Sequence, residues 1–185
     1  MIARFAGASL TVTSFTPAST IDLSFFDGLQ YWGPSNVRDS IIVAERYFAT
    51  HARYARRALV LISDGDDNAS SSRLEDVMRS LQWPGAPTFY SLIVHNRYAD
   101  YAEIKRGRVE LEHLTNGGGG ISIAPKEKDF APAATHLADM IRSQYVLRFT
   151  ATDPARDGKP HKLEVRLPAK DLKIHTLPVY YAPTK

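Results

Sequence analysis

Ala58-Leu-Val-Leu-Ile-Ser-Asp-Gly-Asp-Asp-Asn68 begins with five apolar residues and ends in acidic and turn-forming ones. The apolar run is too short for an isolated helix, so it reads as a strand buried on both faces. Asp64-Gly65 stops it, which puts Asp64 at the strand's carboxyl end. In an open parallel sheet that edge gathers polar groups from several loops over a rigid floor. Asp64, Asp66 and Asp67 fall within four residues. They repel one another unless water or a cation screens them, and a hard divalent cation suits such oxygens. The same residue types also make an ordinary Asp/Gly/Asn turn with solvated acids that caps the next helix. Residue types alone favour the ordinary turn over the cation site.

Outward from this strand, helical and extended patterns alternate. Val37, Ile41, Ala44 and Phe48 follow i, i+4, i+7, i+11, a helix with Ser35 or Asn36 at its N-cap. Leu74, Val77, Met78 and Leu81 form a second stripe, with Ser70 to Ser72 as capping choices and a break at Pro84-Gly85. Thr88 to Val94 reads as another buried strand. Tyr101, Ile104, Leu111 and Leu114 mark a less regular helix that Gly107 weakens. The glycines of Thr115-Asn-Gly-Gly-Gly-Gly120 follow a helix and precede the strand Ile121 to Ala124. They offer no helix N-terminus to a phosphate and read as a left-handed C-cap. Phe130, Ala134, Leu137, Ile141 and Tyr145 form the last stripe. Strands alternating with helices predict an α/β fold with a mostly parallel, Rossmann-like sheet.

The two ends differ. Ile2 to Ala6 and Leu10 to Phe15 read as strands joined at Gly7 in a hairpin, followed by a break at Pro17 to Thr20. A short helix carrying Leu23, Phe26 and Leu29 is expected next, with Asp22 and Ser24 in its first turn. Beyond Gln144 the period becomes two: Tyr145, Leu147 and Phe149 alternate with polar neighbours, as do Leu163, Val165 and Leu167. Asp157-Gly158 signals a hairpin between them, and Leu172 to Tyr181 supplies a third extended segment. The expected division is an α/β domain over 1–144 and an antiparallel β extension over 145–185.

Composition narrows the function. The 185 residues are 44% hydrophobic, enough for one domain with a real core. Net charge is +3, but the basic residues are scattered, with Arg53, Arg56 and Arg57 the tightest group, so nucleic acid is not the expected partner. There is no cysteine, which excludes disulfides and thiolate metal sites, and the six histidines never fall at a paired ligand spacing. No apolar run is long enough to span a membrane, and the N-terminus lacks a signal-peptide pattern. The chain therefore reads as a soluble product without membrane insertion or an export signal of its own.

Four stretches together resemble the von Willebrand factor type A family, closest to the bacterial von Willebrand-related domains first grouped from Acidobacteria. They are Gly33-Pro-Ser-Asn-Val-Arg-Asp-Ser-Ile41, Arg57-Ala-Leu-Val-Leu-Ile-Ser-Asp-Gly-Asp-Asp-Asn68, Leu111-x-x-Leu-Thr-Asn-Gly-Gly118, and Gln144-Tyr-Val-Leu147 with the closing Tyr180-Tyr-Ala-Pro183. The resemblance implies a metal-ion-dependent adhesion site. There Mg²⁺ or Mn²⁺ is held by an Asp-x-Ser-x-Ser motif after the first strand, a Thr from a second loop and an Asp from a third, and a partner's acidic residue completes the octahedron. By position Asp64 matches the third-loop Asp and Ser35 the second-loop Thr, with Asp66, Asp67 and Asn68 shaping the rim. No Asp-x-Ser-x-Ser follows an apolar strand here. The family's central first strand therefore has no counterpart, and apolar strands beside its place are expected to carry unpaired edges. A fragment, a sheet completed by another chain, or a rearranged sheet would each account for this. Full-length relatives are exported by the same resemblance.

The reading favoured by these residues is a non-enzymatic protein-binding module with a partial metal site. Asp64-Gly-Asp66 after an apolar strand also resembles the nucleophile motif of haloacid-dehalogenase-type phosphatases, where the first Asp attacks phosphorus and the second is the acid/base on Mg²⁺. That family usually has Thr or Val where this chain has Asp67. A structural or assembly piece whose strands pair with a neighbour is the third alternative.

Overall fold

The computed structural model describes residues 1–6, 9–22, 24, 33–96, 98–147, 149, 156–168 and 172–184. β1 (Ala3–Ala6) and β2 (Ser9–Val12) pair antiparallel as the expected hairpin. α1 (Val37–His51), β3 (Ala58–Ser63), α2 (Leu74–Leu81), β4 (Thr88–Ile93), α3 (Tyr101–Gly117), β5 (Gly119–Ile123) and α4 (Phe130–Arg142) then alternate. The three strands of this stretch form a parallel sheet in the order β3-β4-β5, the α/β arrangement that the alternation predicts. The helix expected around Leu23, Phe26 and Leu29 lies outside the described residues.

Each strand presents alternate side chains to opposite faces. Leu61, Phe89 and Ile93 meet Val37 and Ile41 of α1, Val77 and Leu81 of α2, and Leu111 and Leu114 of α3 in the main core. Tyr90 and Leu92 face the other way, onto Leu137, Phe130 and Ile141 of α4. Phe89 has no exposed surface, and truncating such a ring to Ala removes about 3–5 kcal/mol. β3 departs from expectation. Its apolar run predicts burial on both faces, but on the α4 side the packed cluster takes in only Ala58 of β3, and Val60 is 40% and Ile62 56% exposed.

Glycines fix two close passages. Gly119, one residue past the Gly118 C-cap of α3, takes φ +76°, the left-handed residue that the glycine run predicts, and opens β5. Gly107 lies mid-helix where a Cβ would stand 2.7–2.9 Å from backbone atoms of Asp64, Gly65 and Asp66. Its missing side chain lets the turn after β3 rest directly on α3, so the residue read as a helix weakener is a packing requirement.

α1 buries one carboxyl with its apolar stripe. Glu45 is 7% exposed and neither of its oxygens has a hydrogen-bond partner. Burial pushes its pKa up to about 8, so the side chain is mostly protonated at neutral pH.

The tail pairs differently from its alternation. β6 (Pro160–Lys162) joins β7 (Val179–Tyr181) antiparallel, with Gly158 at φ +67° before it. Among the described residues, Tyr145 to Leu147 and Phe149 belong to no strand; Tyr145 is 93% exposed, and Phe149 meets the ring of Tyr180 edge-on. An alternating pattern specifies one wet face but not which strand lies alongside. β7 is tied to the main body, since Tyr181 donates its N–H to Gln82 O at 3.1 Å. No described helix is long and apolar enough to cross a membrane.

Candidate functional site

The sheet delivers the ends of β3 and β4 to one edge, and the loop after β3 is built from its own polar groups. Gly65 turns at φ +85° and donates its N–H to Ser63 Oγ at 3.0 Å. Asp64 Oδ1 accepts the Asp66 N–H at 3.3 Å, and Oδ2 accepts the Asn96 amide at 2.8 Å. Asn96 stands three residues beyond β4 and was not among the sequence candidates. A polar residue just past the carboxyl end of a buried strand is the signal that marks it.

Ser35 and the Asp64 loop do come together. The Ser35 N–H donates to Asn68 Oδ1 at 2.7 Å, and the Ser35 carbonyl accepts the N–H groups of Asn68 and Ala69, each at 3.0 Å. Asn68 thus joins the loop before α1 to the loop after β3, while its amide reaches Asp66 Oδ2 at 3.0 Å.

Asp67 serves a different end. Its Oδ2 accepts the Arg38 N–H at 2.7 Å and the Ser70 hydroxyl at 2.7 Å. Asn36 occupies the N-cap of α1 but makes no side-chain cap bond. Asp67 satisfies a free amide of the first turn from another loop and complements the helix dipole. Asp39 returns the exchange by accepting the N–H groups of Ser71 and Ser72 at 2.9 and 2.8 Å. Bonds from Ser72 and then from the Ser71 backbone hold the Asp39 pKa below its ordinary value. A two-point pair from Arg38 to Glu110, at 2.7 and 2.6 Å, ties the start of α1 to α3.

Electrostatically the edge is acidic. Asp66 has its pKa raised, first by burial and then by the charges of Asp64 and Glu103, against relief from Asn68 and Arg106. Asp64, Asp66 and the Ser35 hydroxyl are oxygen donors of the kind Mg²⁺ takes. They do not by themselves fit a resident Mg²⁺. One Asp64 oxygen is engaged by the Asn96 amide, Asp67 is spent on α1, and among the described residues no three acidic or imidazole side chains converge. Two surface hollows, about 540 Å³ beside Lys126 to Lys128 and about 400 Å³ between Met1, Thr13 and Thr20, lie on other segments.

No protein-family model matches the chain, and no curated protein matches it.

Proposed function

We propose that this chain is a non-enzymatic protein-binding module of the von Willebrand factor type A kind, with a partial metal-ion-dependent adhesion site at the carboxyl edge of its sheet. What supports the reading is the junction through Asn68: the segments that match the family's second and third site loops, around Ser35 and Asp64, meet at one edge. The expected partner is a protein surface presenting an acidic residue. Because the donor set does not fit Mg²⁺ or Mn²⁺ unaided, the free chain is expected to hold neither tightly.

Peptide display against the chain and against Asp64→Ala tests the binding reading. Enriched peptides should carry carboxylates and lose binding roughly tenfold or more to the variant; peptides that bind both equally would overturn it. Thermal melts with Mg²⁺, Mn²⁺ or EDTA test the partial site. The expected result is a cooperative melt indifferent to metal, whereas a metal-raised midpoint that Asp64→Ala abolishes would show a complete site.

Asp66 supports a second reading. A carboxyl with raised pKa two residues after Asp64 is what the acid/base of a phosphatase requires. Mg²⁺-dependent hydrolysis of an aryl phosphate, lost in Asp64→Asn, would establish it over the binding reading.

A further inference from the structure

Asn96 meets Asp64 at the edge where the family resemblance implies a cation. The Asn96 amide nitrogen donates to Asp64 Oδ2 at 2.8 Å, and the Asn96 amide oxygen accepts the Tyr98 N–H at 2.9 Å. The second bond decides which way the side chain points. A carboxamide offers a cation its oxygen, but it can offer a carboxylate only its nitrogen. With the oxygen held by a backbone N–H two residues on, the nitrogen is the end left for Asp64. Turning the amide over would set its NH₂ group against the Tyr98 N–H and its oxygen against the carboxylate. Two hydrogen bonds would become two repulsive contacts.

Asp64 is engaged on its other side as well. Its Oδ1 accepts the Asp66 N–H at 3.3 Å and lies 3.5 Å from the Ser63 hydroxyl. Both carboxylate oxygens therefore have protein donors. An ion at Asp64 would have to displace a charge-assisted hydrogen bond and also shed its own water. Beyond Tyr98 the chain is fixed by the capping box of α3, in which Asp100 accepts the Glu103 N–H at 2.8 Å and Glu103 accepts the Asp100 N–H at 3.2 Å.

We propose that the Asn96 carboxamide stands in for a cation at Asp64, which makes this edge a metal-independent site with Asn96 as the residue that sets its specificity. The inference deepens the binding-module reading and rests on it for the expectation of a cation at Asp64. Its own observations are the bonds among Asn96, Tyr98 and Asp64. Its test reads metal and the Asn96 amide, not partner binding, so it fails separately from that reading.

Asn96→Asp keeps an acceptor for the Tyr98 N–H but replaces the donor on Asp64 by a second carboxylate oxygen, which suits a divalent cation. Thermal melts in Mn²⁺ and in EDTA should leave the natural chain unmoved. The variant's midpoint should rise by about 3–6 °C with Mn²⁺ at roughly ten times its Kd, while Asn96→Ala, which adds no oxygen, stays indifferent. In amide NMR spectra, Asp64→Ala should shift the Asn96 side-chain signals of the natural chain, and about 1 mM Mn²⁺ should leave the natural signals sharp. These spectra decide the matter if Asn96→Asp does not fold. A natural chain raised by Mn²⁺, a folded Asn96→Asp indifferent to it, side-chain signals unmoved by Asp64→Ala, or signals broadened by Mn²⁺ would each overturn the proposal.

Discussion

Replacing Glu45 by Gln should stabilise the protein in a pH-dependent way. The carboxyl is 7% exposed, has no hydrogen-bond partner, and carries a pKa raised from 4.5 to about 8 by burial. Below pH 4.5 both folded and unfolded chains hold the proton, and ionisation contributes nothing to the difference between them. Between pH 4.5 and about 8 the unfolded chain releases it while the folded chain keeps it, so stability falls as pH rises. Each pH unit removes about 1.4 kcal/mol, which gives an upper limit of roughly 5 kcal/mol over the whole window. Above the folded pKa the loss is complete and the curve is flat. Urea denaturation of the natural chain and of Glu45→Gln, at half-unit steps from pH 5 to 9, measures the difference directly. The two should nearly coincide at pH 5 and separate progressively to about pH 8. Glu45→Leu, which has no polar group to bury, should show the same separation. A difference between variant and natural chain that stays constant across this range, within about 0.5 kcal/mol, would refute the reasoning.

Gly107→Ala should destabilise by about 2–4 kcal/mol despite its higher helix propensity, because the new Cβ meets backbone atoms of the Asp64 turn; equal or greater stability in urea would contradict this packing. Glu110→Ala should cost about 1–2 kcal/mol by leaving Arg38 without its two-point partner, measured by the same denaturation. Asp67→Ala should weaken the start of α1 by about 1–2 kcal/mol, while Asn36→Ala, whose side chain caps nothing, should cost less. Asp39, with its pKa lowered by Ser72 and the Ser71 backbone, contributes stability that is present above its unfolded pKa and lost as pH falls through its folded one. Asp39→Asn should therefore flatten the acid limb of an unfolding-versus-pH profile, and an unchanged limb would count against that pairing.

Periodicity carried most of the fold. The stripes at Val37 to Phe48, Leu74 to Leu81 and Phe130 to Ile141 are helices because a face repeating every three or four residues can be buried only on a helix. Glu45 was not read from the sequence, although it lies four residues after Ile41 and three before Phe48, a spacing that puts it at the border of the buried stripe. Asp64 was legible because a strand that ends in a polar turn must place its last residues at the sheet edge. Asp67 was not. Its partner amide on Arg38 is 29 residues away, and no local pattern distinguishes an acid that rims a site from one that caps a remote helix.

The sequence by itself determined the alternation of β-strands and helices, the position of the acidic turn and the absence of thiol chemistry, because these depend on short-range periodicity and residue type. Only the tertiary structure decided which polar groups of that turn are spent on the backbone, why Gly107 must be glycine, that Val60 and Ile62 of β3 stay exposed, and that β6 pairs with β7. Each of these depends on which elements become neighbours. That is set by the packing of whole faces against one another, a long-range outcome that no window of the chain contains.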